Sequence, residues 1–420
     1  MSRGSSTRSD VDFDVLIAGG GMVGASLALA LSVTPWRIGL IEPAPLSSGE
    51  NPSFDERATA LSWSSRQFLH SVGLWETLAD GASAIRHIHV SEQGRFGRSR
   101  LHADDLGVDA LGHVLPNRLL GQALSEHLAG CDNVSLIKAG VSAIQRPANS
   151  DEPVCVRDSA DREWCADLVV VADGARSRLR DALGIPAQTV RFPHVALVAN
   201  LEVERPHQGW AFERFTPQGP MALLPLPEAD GVRHRMNLVM SLAREEAEAC
   251  QQMDASRLLG ELRARFGSHL GAFRAIGERS VYPLFQVRAR RLVDERVVLA
   301  GNAAMSLHPV AGQGFNLALR GIGDLAERLI ETAAQSGDPG SPTLLQTHAR
   351  ERDRDIAWTG SWTRGLVEGF TLALPGVGPL RSTALLGLDR LGPLRRWFVR
   401  QAMGRKVGLS RLSRGVAPRR

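Results

Sequence analysis

Cysteine is scarce in this 420-residue chain: Cys131, Cys155, Cys165 and Cys250 are all there are. No two form a CxxC pair and no histidine sits at ligand spacing from them. The sequence therefore predicts neither a disulfide framework nor a structural zinc site, and no metal site at all; a reducing compartment fits best. No stretch approaches the ~18 uninterrupted apolar residues of a membrane span. The opening MSRGSSTRSDVDFD has no apolar core of a secretory signal, so a cytoplasmic location is expected. Tyrosine occurs once, at Tyr282, and lysine only at Lys138 and Lys406. No convincing nucleophile triad or pair of carboxylates stands out.

What is present is an ordinary globular composition, 43% hydrophobic and 22% charged, which excludes disordered and collagen-like chains. The length suits two domains sharing a core. Glycine is in excess, 42 of 420 residues, which points to many close backbone approaches. The net charge of +4 hides an asymmetry: residues 381–420 hold eleven Lys/Arg and the single acid Asp389, a net of +10, leaving −6 for residues 1–380. Nucleic-acid binding is disfavoured, because this basic end offers only Trp397 and Phe398 and no aromatic ladder.

Along the chain, FDVLIA (13–18) reads as a buried strand, GGGMVGASLALAL as a glycine turn running into a helix, and RIGLI (37–41) as a second strand ending in Glu42. That β-turn-α-β order implies a parallel sheet. Residues 85–103 look like a hairpin, 117–129 a helix, and 133–172 a series of short strands ending in DLVVVAD. Residues 194–240 are β-rich and interrupt the α/β pattern, which makes them the best candidate for a second domain. Residues 255–266 read as a helix, VVLAGNAA (297–304) as a buried strand and glycine turn, and 314–335 and 343–372 as long helices.

Gly19-Gly20-Gly21-Met22-Val23-Gly24 satisfies GxGxxG after a strand and at the start of a helix, the context that gives the pattern meaning. Gly19 permits the tight turn, Gly21 lets a pyrophosphate approach the backbone, and Gly24 lets helix and strand pack closely. The helix N-terminus adds free N–H groups and a partial positive charge. Glu42, 18 residues beyond Gly24, is placed to accept hydrogen bonds from ribose hydroxyls and would repel a 2′-phosphate. A second loose match, Gly321-Ile322-Gly323-Asp324-Leu325-Ala326, lies inside a helical pattern and reads as close helix packing.

Two later segments narrow the ligand. DLVVVADGARSRLR (167–180) resembles the Asp-Gly motif of the group A flavoprotein monooxygenases through Asp173, Gly174, Ser177 and Arg180. RVVLAGNAAMSLHPVAGQGFN (296–316) resembles their second FAD motif, GDAAHxxxPxxGQGxN, through Gly301, Ala303, Ala304, Pro309, Gly312, Gln313, Gly314 and Asn316. Asn302 replaces the family Asp and Met305 the family His. Asn keeps an acceptor oxygen, so a contact to the ribityl chain survives without the charge. Together with FDERATALS (54–62), NRLLGQAL (117–124), AFERFTPQGPMALLPL (211–226) and SVYPL (280–284), the chain resembles the ubiquinone-biosynthesis hydroxylases, in particular the UbiH-type 2-octaprenyl-6-methoxyphenol hydroxylase branch.

That resemblance implies a p-hydroxybenzoate hydroxylase-like α/β fold, in which a Rossmann-like FAD-binding domain with a parallel sheet is interleaved with a β-rich substrate domain and followed by a helical C-terminus. The expected segments are FAD domain 11–84, 105–183 and 282–342; substrate-domain hairpin 85–104 and sheet 184–281; C-terminal helices 343–402; and basic tail 403–420. It also implies non-covalent FAD, NADH or NADPH as reductant, O2, and hydroxylation of a prenylated phenol through a flavin hydroperoxide, the cofactor carrying the hard chemistry. The cofactor-binding set is Gly19, Gly21, Gly24, Glu42, Arg57, Arg118, Asp173, Gly174, Gly301, Asn302, Gly312, Gln313, Gly314 and Asn316. His308 and Pro309 are the catalytic candidates, with His308 able to relay the phenol proton. Trp210, Phe212 and Phe215 are candidates for the pocket wall, with Trp210 and Phe212 on one face of their strand and Phe215 on the other.

Other readings keep the flavin: a different ring hydroxylase of the pathway, an isoprenoid reductase or epoxidase, or a non-catalytic flavoprotein scaffold. Peripheral contact with the inner face of the cytoplasmic membrane, or with other proteins of the pathway, is expected because the substrate lives in the bilayer. Leu391, Leu394 and Phe398 would share a helical face away from Arg396 and Arg400, and Pro393 should break the helix that precedes it.

Overall fold

In a computed structural model of the protein, the described residues are 11–47, 51, 53, 57–147, 149, 152–229, 231–306, 313–371, 377–405 and 408–418, with the side chains of 313, 362–364, 366–371 and 377–381 excepted. Five strands form a parallel core in the spatial order Val297–Leu299, Glu163–Val171, Phe13–Ala18, Ile38–Ile41 and Val134–Ile137. Residues 15–18, 38–41, 168–171 and 297–299 are buried throughout because both faces of the inner sheet are covered, whereas Ser135 and Leu136 on the edge strand are exposed. Val15 and Ile17 belong to one apolar cluster, with the helices Met22–Leu31, Asn117–Ala129 and Gln313–Ala334; Phe13, Leu16 and Ala18 belong to another on the opposite face. The first strand lies where the strand order reverses, so the crevice beyond its C-terminal end is where an open α/β sheet binds its ligand.

A nine-stranded, mostly antiparallel sheet forms the second layer. It includes the long strand Ala187–Val203, the strands Trp210–Thr216, Gly219–Pro225, Arg235–Ala243 and Ser280–Ala289, and the hairpin His87–Glu92/Arg98–His102. The hairpin joins by a parallel pairing of His87–Glu92 with Trp210–Thr216. One face of this sheet is covered by Arg244–Gln252 and Ala255–Phe266, which bury Leu197, Phe212, Leu223, Leu238 and Met240. On the other face Ala211, Leu224 and Leu226 meet Ala58, Ala60, Ile85 and Val114 of a three-stranded sheet made by Ala58–Ser62, Ser83–Ile85 and Gly112–Pro116. This second face therefore looks toward the nucleotide-binding half.

The structure corrects several expectations. Cys155 and Cys165 stand directly opposite each other on Val154–Asp158 and Glu163–Val171 and form a disulfide, with Cα atoms 4.1 Å apart. A ten-residue separation across a tight hairpin was the signal, and a search for CxxC or metal spacing passes over it. Among the described residues, Cys155, Glu163 and Cys165 are the only group of His, Cys, Asp or Glu close enough to hold an ion, and the disulfide consumes both sulfurs. The expected domain boundary at 282 falls inside Ser280–Ala289, which pairs with Ala187–Val203 over most of its length.

The C-terminal end is docked: Leu412 and Ser413 are buried, the Leu412 carbonyl accepts from Ser71 Oγ at 3.0 Å, and Glu327 accepts from the Arg411 N–H. Gly323 and Gly321 allow close packing, since a Cβ on Gly323 would lie 2.9 Å from Ser413 Oγ and one on Gly321 2.6 Å from Arg352 Nε. The chain breaks at Leu391 between Val377–Arg390 and Gly392–Ala402, with Pro393 in the first turn of the second helix. No helix of the described residues is long and apolar enough to cross a membrane.

Candidate cofactor and substrate site

The first strand ends in Gly19, whose φ of +113° is the left-handed region open to glycine. A Cβ there would lie 2.5 Å from the Ala172 carbonyl oxygen, and one on Gly24 would run into the Gly19 carbonyl. Both contacts are with backbone, so these two glycines set the closeness of turn, helix and neighbouring strand. Gly21 caps Met22–Leu31 without any capping side chain, and a Cβ on it would meet only Ser53, 2.7 Å away at the hydroxyl. Among the described residues, no atom beyond those of Ser53 and the adjoining chain lies within 4 Å of that position at the helix N-terminus. The sequence reading passed over Gly20: its N–H donates to Glu42 Oε2 at 2.7 Å, and a Cβ there would strike the Glu42 side chain. Glu42 Oε1 also accepts from Ala44 N–H at 3.2 Å. Both bonds fix the carboxylate across the mouth of the turn and leave lone pairs for ribose hydroxyls.

Asp173 and Gly174 follow the adjacent strand, joined to the first by Ala172 N–H donating to the Ala18 carbonyl at 2.8 Å. Asp173 Oδ2 accepts from Leu179 N–H at 3.2 Å, and burial, opposed by the hydrogen bond from Ser177, raises its pKa above the usual carboxylate value. Gly174 has φ +89° and, among the described residues, no atom within 4 Å of where a Cβ would be, which leaves room beside the glycine turn. Ser177 caps Arg178–Ala182 by accepting from Arg180 N–H at 3.0 Å. Arg180 is buried, and its guanidinium donates to the carbonyls of Ala175 at 3.3 Å and Ala303 at 3.2 Å. It thus ties the Asp-Gly segment to the short helix Gly301–Ala304. Gly301, at φ +57°, packs against Val23 of the first helix, and Asn302 is exposed at the helix start.

The other expected residues divide. Arg57 lies just ahead of Ala58–Ser62 with its guanidinium 4.5 Å above the Tyr282 ring. Arg118 is exposed in the first turn of Asn117–Ala129. Gln313 and Gly314 begin the long helix Gln313–Ala334, and among the described residues nothing lies within 4 Å of a Cβ on Gly314. Asn316 faces inward: Oδ1 accepts from Ser62 N–H and Ser65 Oγ, both at 2.7 Å, and Nδ2 donates to the Ala60 carbonyl at 2.8 Å. These bonds position the helix start beside Ala58–Ser62. His308, Pro309 and Gly312 lie outside the described residues.

The pocket-wall expectation is partly overturned. Phe212 packs under the helical layer, 5.2 Å from the Phe266 ring, and Trp210 meets the His87 ring at a tilt, 4.7 Å away, and the His102 ring edge-on at 5.6 Å. Strand alternation puts Ala211, Glu213 and Phe215 on the opposite face, toward the nucleotide-binding half. Burial pushes the Glu213 carboxyl up to about 7. Nothing local in AFERFTPQGP marks this Glu, since its burial comes from the sheet's neighbours in space.

The glycine turn, the fixed Glu42 carboxylate, the room left at Gly174 and the exposed Asn302 beside a helix N-terminus converge on the crevice at the strand-order reversal. Their donors and acceptors suit a dinucleotide, with Gly19–Gly24 at the pyrophosphate and Glu42 at a ribose. A family model described as an FAD binding domain matches residues 12–359, and the chain belongs to that family, a class of flavin-dependent proteins with FAD as cofactor. Within it, the chain is 36% identical over 414 residues to a ubiquinone hydroxylase, UbiL, of Rhodospirillum rubrum, covering 96% of this chain and 93% of that one. It is 28% identical to the 3-demethoxyubiquinol 3-hydroxylase of Escherichia coli over 93% of this chain and 98% of the other. Among solved structures, p-nitrophenol 4-monooxygenase of Pseudomonas putida has the same fold, with a TM-score of 0.78, 20% identity, and coverage of 94% of this chain and 99% of that one.

Proposed function

We propose that the protein is an FAD-dependent monooxygenase of ubiquinone biosynthesis that hydroxylates the aromatic ring of a polyprenylated phenol, of the 2-polyprenyl-6-methoxyphenol type, using O2 and NADH or NADPH. The observation that carries this reading is whole-length similarity to a ubiquinone hydroxylase, in a chain whose glycine turn, Glu42 and Asp173 segment form a dinucleotide crevice. Bound FAD supplies the activation of O2 and the transfer of one oxygen atom. The chain's own residues bind, orient and shield. Gly19, Gly21 and Gly24 hold the pyrophosphate against the helix N-terminus, and Glu42 takes the ribose. Arg57 and Arg118 serve the phosphates or ribityl chain, and Asp173, Gly174, Gly301 and Asn302 line the cofactor's middle. The family resemblance would assign Gly312, Gln313 and Gly314 to the flavin edge and His308 and Pro309 to the reacting ring. Exclusion of water around the reacting centre prevents loss of activated oxygen.

The test is direct. FAD-loaded protein is given NADH or NADPH, O2 and a short-chain prenylated methoxyphenol, and products are read by mass spectrometry. Gain of one oxygen atom, taken from 18O2, is expected. Flavin reduction without oxygenated product favours a reductase, and failure of any phenol to stimulate reduction favours a scaffold.

For reaching a bilayer-borne substrate, the helix Gly392–Ala402 and the residue before it present Leu391, Leu394 and Trp397, 56%, 45% and 45% exposed, next to the exposed Arg396 and Arg400. Phe398 instead turns inward to the cluster around Val399 and Met403. An exposed apolar ridge flanked by arginines suits the inner face of an anionic membrane, each Arg contributing on the order of 1 kcal/mol at low salt. Leu394→Glu/Trp397→Glu is expected to abolish salt-sensitive binding to anionic vesicles and leave FAD bound; unchanged binding would reject the ridge. Deletion of residues 403–420 is unsuited to this purpose, since it would strip Met403 and Leu412 from buried positions.

A further inference from the structure

A trough crosses the nine-stranded sheet on the face that looks toward the nucleotide-binding half. In register across four strands stand Val198, Val239, Ala222 and Glu213, with Val90 continuing the row on the fifth. All five are half-buried, as are Asn200, Leu224 and Ile88 beside them on the same face, while Ala196, Asn237, Ala211 and Phe215 are buried. Together they give a floor of half-buried positions in mid-sheet, and the row through Glu213 is apolar apart from its carboxyl. Of the titratable groups sharing this face, Glu92 is the nearest along the strands, diagonal to Glu213 on the neighbouring strand. Glu92 is paired with Arg95 at 3.1 Å, Arg57 sits over Tyr282 on a strand beyond the far end of the row, and Glu202 and Arg235 occupy the sheet's other end.

We infer that Glu213 is the catalytic base of the hydroxylation, taking the proton from the phenolic hydroxyl of a substrate lying in this trough. The inference rests on the hydroxylase reading above. In the step, the phenol O–H bond breaks, an O–H bond forms on a Glu213 carboxylate oxygen, and the electron pair stays on the phenolate oxygen. The negative charge enriches the ring carbon that then accepts the oxygen atom, and the proton later returns to the ring oxygen or to solvent. An apolar floor of valine and alanine suits an aromatic ring carrying a prenyl chain, and a single carboxyl within it fixes where the hydroxyl must lie. Burial, with no contribution from a charged neighbour, brings the group to about 7, where a base is half ionised at neutral pH and most effective.

The experiment compares FAD-loaded wild type, Glu213→Gln, Glu213→Asp and His308→Gln, with a short-chain prenylated methoxyphenol as probe. Wild-type kcat/KM is expected to rise roughly tenfold from pH 6 to pH 8 with a midpoint near 7, as one group ionises. Glu213→Gln should fall at least ~100-fold, the usual contribution of a positioned base, and lose that midpoint, while Glu213→Asp recovers part of the rate. A second readout does not depend on turnover. A carboxyl whose folded pKa lies above its unfolded value stabilises the fold fully below the unfolded pKa and loses that contribution as pH rises through the folded one. Wild-type melting temperature should therefore decline from pH 4.5 to 7 relative to Glu213→Gln. A Glu213→Gln enzyme with the wild-type rate and profile would overturn the inference, as would a midpoint erased only by His308→Gln. If wild type hydroxylates no phenol, the hydroxylase reading falls and the base with it, and the melting curves then report the carboxyl's titration alone.

Discussion

Arg180 is the residue whose removal should show how the two halves of the FAD motif are held together. Its guanidinium is 5% exposed and makes three kinds of contact. The pair with Asp181 at 3.1 Å involves a carboxylate that is 69% exposed, so it is worth well under ~1 kcal/mol. The bonds to the Ala175 and Ala303 carbonyls are different: a buried charge donates to a part-buried carbonyl and to a buried one, each bond worth about 1.5–3 kcal/mol and the second without water to replace it. Arg180→Met keeps most of the side-chain volume and removes both. Unfolding by urea should therefore show a loss of about 3–5 kcal/mol with little change in slope. Because Ala175 and Ala303 each follow a cofactor-site residue, Gly174 and Asn302, the variant should also bind FAD about tenfold more weakly, equivalent to ~1.4 kcal/mol. A loss of less than ~1 kcal/mol with unchanged FAD affinity would refute the claim that this guanidinium braces the site.

Gly21→Val should abolish FAD binding while the protein still folds, because the added side chain meets only the movable Ser53 hydroxyl within the protein; isothermal titration with FAD and a circular dichroism spectrum check the two halves. Gly24→Ala, by contrast, puts a Cβ into the Gly19 carbonyl and should lower the yield of folded protein itself. Asn302→Asp is expected to retain FAD and Asn302→Leu to lose it, read as flavin absorbance after gel filtration, since an exposed acceptor at the Gly301–Ala304 helix start is what the ribityl chain needs. Burial lowers both His89 and His113 to about 4. The unfolded chain takes up these protons first, so stability should fall as pH drops from 6.5 toward 4, by about 3 kcal/mol per histidine. His89→Gln should remove one share of that slope in pH-dependent melting, and an unchanged slope would count against the assignment.

Much of the nucleotide half was legible because its signals are local. A strand of apolar residues, a glycine turn and a helix specify one another within Phe13–Leu31, and the Gly19 and Gly24 contacts explain why those positions admit no side chain. Asn316 shows where locality ends. Its motif position pointed to the cofactor, and nothing local shows that its amide also braces the fold through three bonds to residues more than 250 positions away. Glu213 failed to register for a related reason. Alternation assigned it a face, but which face meets the nucleotide half depends on where Arg244–Gln252 and Ala255–Phe266 lie down. Aromatic neighbours drew attention to Trp210 and Phe212, which that helical layer covers. The disulfide was hidden likewise, since strand register and not spacing brings Cys155 opposite Cys165.

The central claim is that this chain, loaded with FAD, places an oxygen atom from O2 on the ring of a prenylated phenol. Incubation with 18O2, NADH or NADPH and a short-chain prenylated methoxyphenol, followed by mass spectrometry, tests it most directly. The account predicts a product heavier by one 18O atom, formed in step with NAD(P)H consumption and missing in Gly21→Val. Oxidation of NAD(P)H with hydrogen peroxide as the only oxygen product, across phenols of different ring substitution and chain length, would contradict it.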